Sequence, residues 1–187
     1  MVAEVLEHLE PSRGGVFVDC TVGLGGHARA LLAGGASRLI GLDRDPAAVA
    51  ATRNALSEFG GRVEIVHADY RRLQAVLDER GVATVDGLLV DLGVSSMQLD
   101  EPGRGFSFRQ DDPLDMRMDT TAGPTAAEAL REVDERALAD LIYEFGEERH
   151  SRRIARAIAA ARAQAPIETT GQLAEIVRRA CRSSPNW

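Results

Sequence analysis

A doubly wound α/β sheet followed by a helical region is the fold that this sequence of 187 residues predicts. Three observations carry that prediction. Short apolar runs alternate with helical patterns up to Asp91, a glycine-rich turn follows the first run directly, and beyond Pro124 only helical spacing remains. Strict strand and helix alternation implies parallel strands with right-handed crossovers, and a ligand at the carboxyl ends of the strands.

The elements follow in order. Val2, Val5, Leu6 and Leu9 have the spacing of a short amphipathic helix, closed by Pro11 and Gly14-Gly15. Residues 16–20 (VFVDC), 38–43 (RLIGLD), 63–67 (VEIVH) and 87–91 (GLLVD) are apolar without alternation, as strands covered on both faces are. Helical patterns at 27–33, 46–58 and 71–80 connect them. Residues 93–124, rich in Gly, Pro, Asp and Ser, read as an ordered functional loop. Helices are then expected over 125–132, 134–144, 147–163 and 170–179, with Asp134 as an N-cap and Pro166 separating the last two.

Composition narrows the functional classes. With 44% apolar and 27% charged residues the chain is of the soluble globular kind. Its 2 cysteines, Cys20 and Cys181, provide no disulfide framework and no CxxC zinc ligands, so a reducing cytoplasm is expected. No apolar run approaches the roughly 18 residues of a membrane helix, and Met1 to Glu4 do not resemble a signal peptide. A net charge of −7 argues against indiscriminate coating of nucleic acid, yet the charge is unevenly placed. All 22 basic residues are arginine; residues 101–148 hold 5 of them against 13 acids, whereas residues 149–187 hold 8 against 2. Such a break marks two functional surfaces.

The segment DCTVGLGGH (19–27) lies between the first strand and a helix, where backbone N–H groups can meet a ligand. Gly23, Gly25 and Ala28 satisfy the G-x-G-x-x-G/A pattern, and Asp43 falls about 20 residues on, where an acid binds ribose, so a nicotinamide oxidoreductase is one reading. Asp19 and Asp69 favour another. Acids lining the pocket suit the cationic sulfonium of S-adenosylmethionine and would repel a pyrophosphate. At the end of the fourth strand, Asp91 to Ser96 (DLGVSS) faces the same cleft and is where a reacting group belongs.

DCTVGLGGH, GLDRDP (41–46), LLVDLGVSSMQLD (88–100), RGFSF (104–108), DPLDMRMD (112–119) and GEERHSRRIARAI (146–158) together resemble the bacterial 16S ribosomal RNA (cytosine-N4) methyltransferases of the H type. The resemblance runs from Val16 to about Ala180. It implies a Rossmann-like methyltransferase sheet carrying a helical recognition domain, with S-adenosylmethionine as cofactor and 16S rRNA of the small ribosomal subunit as partner. The cofactor contacts it implies are Gly25, Gly26, His27, Asp43, Tyr70, Asp91 and Gln98. Asp43 would bind the ribose hydroxyls, Tyr70 would lie on adenine, and Asp91 and Gln98 would position the methionine end. Asp112 departs from the small residue usual in that family before Pro-Leu-Asp.

A cytosine amine is a poor nucleophile because its lone pair is delocalised into the ring, so an acceptor must draw it toward tetrahedral geometry. Asp91 is the first candidate for that role and Asp115 the second. Phe106 and Phe108 are candidates to stack on a flipped cytosine, or else to pin their loop to the core. Arg117 either pairs with Asp115 or contacts RNA. Arg149, Arg152, Arg153 and Arg156 recur at i, i+3, i+4 and i+7, as a stripe tracking RNA phosphates or a solvated face paired with neighbouring acids. Asp111, Asp112, Asp115 and Asp119 lack calcium-loop spacing, and methyl transfer needs no Lewis acid, so no metal is expected.

Two domains are expected, a cofactor-binding half-sheet at 1–103 and a loop and helical substrate domain at 104–187. Against the family pattern the chain looks truncated at both ends, without the strands that would lie beyond the fourth. Activity weaker than the family's, or a non-catalytic RNA-binding fragment, is then a further reading. The apolar edge of the fourth strand would invite self-association.

Overall fold

The computed structural model describes residues 2–182, so the expected domain limits at 1 and 187 lie outside the described residues. Four parallel strands, β1 (Val16–Asp19), β2 (Arg38–Asp43), β3 (Val63–His67) and β4 (Gly87–Leu89), pair in the order β3-β2-β1-β4. α1 (Val2–Leu9), α2 (Gly26–Ala33), α3 (Pro46–Ala55) and α4 (Leu73–Asp78) lie around them. Successive residues of β1 serve opposite faces. Phe17 packs with Leu31, Leu32, Leu39 and Leu56 beneath α1, α2 and α3, while Val18 packs with Ile40, Leu42 and Val76 on the α4 side. Burial on both faces is the reason the strands read as unbroken apolar runs.

The contacts divide the described residues into two compact units, one of residues 2–93 with 118–121 and one of residues 94–117 with 122–182. The break therefore falls after Gly93 and not after residue 103, and a short strap, Met118–Thr121, goes with the first unit. The second unit is helical: α5 (Ser96–Asp100), α6 (Ala126–Glu132), α7 (Glu135–Gly146), α8 (Ser151–Arg162) and α9 (Thr170–Arg182). Its core gathers Leu114, Leu138, Ile154, Ile158 and Ile167.

Local chemistry explains where elements start and stop. The expected cap Asp134 accepts the Ala137 N–H at 2.9 Å. Glu147 adopts a left-handed conformation (φ 52°) that ends α7, so the segment expected as one helix from 147 begins only at Ser151. α5 was not legible as a helix; a reciprocal Ser95–Gln98 capping box starts it within the loop-like composition. β4 ends at Leu89, short of the expected Asp91, because the Asp91 N–H donates to the Thr21 hydroxyl at 2.8 Å. Among the described residues β4 pairs only with β1, and its Leu88 is 43% exposed. No helix among the described residues is long and apolar enough to cross a membrane.

The loop from 101 to 117 is built around buried Arg104, whose Nη2 donates to the Arg117 carbonyl at 3.1 Å while its own carbonyl accepts the Met116 N–H at 3.0 Å. Gly105 sits inside this turn at φ +73°, and a Cβ there would stand 2.6 Å from the Pro113 carbonyl oxygen and 2.8 Å from the Asp115 nitrogen. Those are backbone atoms that cannot rotate away. Gly105→Ala is expected to destabilise the second unit by about 1–3 kcal/mol, read as a lower urea midpoint by circular dichroism. An unchanged midpoint would mean that the turn relaxes freely.

Candidate active site

In-register pairing sets Asp19 opposite Gly41 on one side and Leu89 on the other, so Asp19, Asp43 and Asp91 all sit at the carboxyl ends of adjacent strands. Asp43 is the hinge of this edge. Its Oδ2 accepts the Gly23 N–H at 2.8 Å and its Oδ1 the Asp45 N–H at 2.9 Å. Asp45 in turn caps α3 by accepting the Ala47 N–H at 3.0 Å, with Pro46 in the first turn. Each Asp43 oxygen keeps a lone pair, enough to accept from a ribose hydroxyl.

The glycine turn is fixed from below. Gly25 has φ +81°, and a Cβ on it would meet Thr52 Cγ2 at 3.0 Å, so both backbone and packing demand glycine. The Thr52 hydroxyl donates to the Gly23 carbonyl, a contact the sequence did not single out. Above Gly26 nothing lies within 4 Å of a Cβ position, which leaves its backbone open to a ligand. His27 follows at the start of α2 and, with Asp91, Leu88 and Val90 of the β4 side and His8 of α1, lines a cavity of about 560 Å³.

Asp19 is 1% exposed. It accepts the Thr21 N–H at 3.1 Å, and burial pushes its carboxyl up from 3.8 to about 6. Asp43 and Asp91 add to the rise, while His27 and the Thr21 bond oppose it. A buried carboxyl among other carboxylates fits a cationic ligand group and repels an anionic one. Asp69, expected as a second cleft acid, is engaged elsewhere. Arg71 grips it through two bonds of 2.9 and 2.8 Å and holds its carboxyl down at about 2. Tyr70 beside it is 42% exposed and opens a short turn, Tyr70–Arg72.

The strap reaches the same strand ends. Asp119 Oδ2 lies 3.5 Å from His67 Nε2, and that nitrogen lies 3.0 Å from the Arg44 carbonyl. Asp119 Oδ1 accepts the Thr121 N–H at 2.9 Å and hydroxyl at 2.6 Å, which fixes the carboxylate's direction.

The remaining expected residues belong to the second unit. Gln98 is buried, its side-chain oxygen accepting the Ser95 N–H at 3.0 Å. Phe106 and the 77% exposed Phe108 line a cavity of about 630 Å³ with Leu114, Leu173, Val177 and Arg178. Asp115 and Arg117 pair with each other through bonds of 2.8 and 2.7 Å, which holds the Asp115 carboxyl below its ordinary range. The two side chains are thus engaged with each other within the loop. The arginines are not one free stripe: Arg152 and Arg156 reach Asp140 and Glu135 on α7 at 3.9 and 3.7 Å, and Arg153 donates to the Cys181 carbonyl. Arg149 precedes α8 and is exposed. Asp111 accepts the Gly171 N–H at 2.9 Å at the start of α9.

A family model described as the MraW methylase family matches residues 1–186. A curated relative from Nitrobacter winogradskyi, "Ribosomal RNA small subunit methyltransferase H", is 52% identical over 183 residues, 98% of this chain and 55% of the relative. Relatives of the same name from Bradyrhizobium diazoefficiens and Xanthobacter autotrophicus are 50% and 52% identical, covering 97% and 96% of this chain and 55% and 52% of their own lengths. The chain thus spans about half the length of the curated relatives it matches.

Asp19 gives the site a pH signature. Native Asp19 holds its proton more tightly than the unfolded chain does, so stability falls as pH rises from about 4 to about 6 and the full penalty stands above that. Asp19→Asn keeps the acceptor for Thr21 and removes the buried charge. It is expected to raise stability at pH 7.5 by up to about 3 kcal/mol and to match the unmodified chain near pH 3.5, by urea unfolding at both values. Equal stability at pH 7.5 would place the Asp19 carboxylate in contact with water.

Proposed function

The chain belongs to the MraW methylase family, and from that premise we propose that it binds S-adenosylmethionine at the strand ends and methylates the N4 amine of a cytidine in 16S rRNA, in the cytoplasm. The buried Asp19 carboxyl, with Asp43 and Asp91 near it and the open glycine turn above α2, is the observation that carries this reading. It also speaks against a nicotinamide dinucleotide, whose pyrophosphate would meet three acids.

Bound there, the cofactor would supply an activated methyl group. Gly25 and Gly26 would bring their backbone against it, Asp43 would accept from the ribose hydroxyls, and Tyr70 would cover adenine. His27 would flank the cleft, and Asp91 would orient the methionine end. The same Asp91 carboxylate would accept a hydrogen bond from the N4 amine, drawing the nitrogen lone pair out of the ring for attack, and would take the proton that the nitrogen sheds once it carries the methyl group. Gln98 is proposed as a contact to the methionine end because the resembled family uses that position. Asp115, neutralised by Arg117, is proposed as a structural member of the 101–117 loop.

On the second unit we assign the aromatic cavity of Phe106 and Phe108 to a nucleobase, and Arg149, Arg152 and Arg156 to phosphates. The bonds that Arg152 and Arg156 make to α7 are long and exposed, and pairs of that kind are worth at most about 1 kcal/mol. A phosphate can displace them. Arg153 and Arg117 already serve neighbouring groups and are proposed to support the surface.

Calorimetry with S-adenosylmethionine, S-adenosylhomocysteine and NAD tests the cofactor, and transfer of labelled methyl to unmethylated small subunits tests the substrate. Asp43→Ala is expected to weaken S-adenosylmethionine about 10- to 100-fold through loss of charge-assisted bonds. Binding of NAD in its place would overturn the reading. Replacing Arg149, Arg152 and Arg156 by Ala is expected to lower the salt dependence of RNA binding by up to about three ionic contacts, with cofactor affinity unchanged. An unmoved salt slope would return those arginines to the solvated face.

A further inference from the structure

We propose that Thr21 is a positioning residue that sets Asp91 for recognition of the amino-acid end of the cofactor. Thr21 belongs to the glycine turn after β1, and its own N–H is held by the Asp19 carboxylate at 3.1 Å. Its hydroxyl oxygen accepts the Asp91 N–H at 2.8 Å, across a separation of 70 residues in sequence. One residue earlier the backbone still bridges the two strands, with the Cys20 N–H donating to the Leu89 carbonyl at 2.9 Å. Beyond that point the contact passes to a side chain.

The substitution of a hydroxyl for a backbone carbonyl has a directional consequence. A carbonyl would hold Asp91 in the strand and send its side chain to one face of the sheet. The hydroxyl instead lets the chain leave the sheet at Val90 while still fixing the Asp91 backbone, so the carboxylate is set at the cavity wall shared with His27. The two loops are thereby joined: Asp19 orients Thr21, and Thr21 orients Asp91. Without the hydroxyl the Asp91 N–H loses its acceptor at the point where the chain leaves β4 for the loop in which Gly93 has φ +142°.

This inference rests on the reading of Asp91 as a contact to the methionine end, and the experiment separates the two. The readout is the preference for S-adenosylhomocysteine over 5′-methylthioadenosine, which shares the adenosine and thioether but lacks the amino-acid group. Calorimetry on the full chain compares Thr21→Val, which keeps the shape and removes the hydroxyl, with Thr21→Ser, which keeps the hydroxyl. Thr21→Val is expected to weaken S-adenosylhomocysteine about 10-fold, the scale of one hydrogen bond whose donor is left unpaired, and to leave methylthioadenosine within about 2-fold. Thr21→Ser is expected to retain the preference. A preference preserved in Thr21→Val, or lost equally in Thr21→Ser, overturns the inference. So does an equal loss for both ligands, which would mean a general collapse of the glycine turn. Asp91→Ala is the control: if it leaves the preference unchanged, or if S-adenosylhomocysteine does not bind the unmodified chain, the reading of the site fails first and the inference with it.

Discussion

The Asp43 carboxylate bonds backbone N–H groups on two loops at once, Gly23 in the turn after β1 and Asp45 at the start of α3. Most of the site depends on those two hydrogen bonds. They fix the height of the glycine turn above the sheet, and they orient Asp45, whose own carboxylate then caps α3. The Thr52 hydroxyl, about two helix turns further along α3, returns to the Gly23 carbonyl and closes the circuit. The residue proposed to receive a ribose is thus first a structural brace. A ligand bound there would meet an oxygen pair already aimed by the fold, which would lower the ordering needed on binding.

The second constraint is electrostatic. Asp19 is buried with two other acids near it and only the Thr21 N–H and the nearby His27 to favour its charge. Folding alone does not reward such an arrangement. Functional sites are where proteins keep groups in this condition, and the neighbouring Asp69 shows the contrast: a carboxylate two strands away is neutralised by Arg71 and sits well below the ordinary range. Two acids with the same sequence appearance are therefore shifted in opposite directions, Asp19 upward by burial and Asp69 downward by Arg71.

That contrast marks the boundary of what could be read from the sequence. Strand runs and the glycine turn were legible because burial on two faces and the need for backbone access leave local signatures in residue type. The place of Asp43 at the end of β2 was legible from the apolar run that it closes. Pairings across long separations were not. Thr21 lies inside a motif that was noticed, yet its contact with Asp91 depends on where β4 stops. The engagement of Arg152 and Arg156 by α7, and of Arg153 by α9, could not be told from a free stripe by periodicity, since both give the same spacing. α5 was hidden because a five-residue helix started by a capping box has no room for a hydrophobic period.

The strap Met118–Thr121 changes how the molecule can be taken apart. The backbone passes between the two units after Gly93, again before Met118 and a third time after Thr121. Neither unit is an uninterrupted stretch of the gene. Excising everything beyond Gly93 removes Asp119 from His67, and leaves the end of β3 without a carboxylate that it meets in the whole chain. A cut between α5 and the strap would leave Asp119, a residue of the first unit, on the distal fragment, so that neither fragment would hold a whole unit.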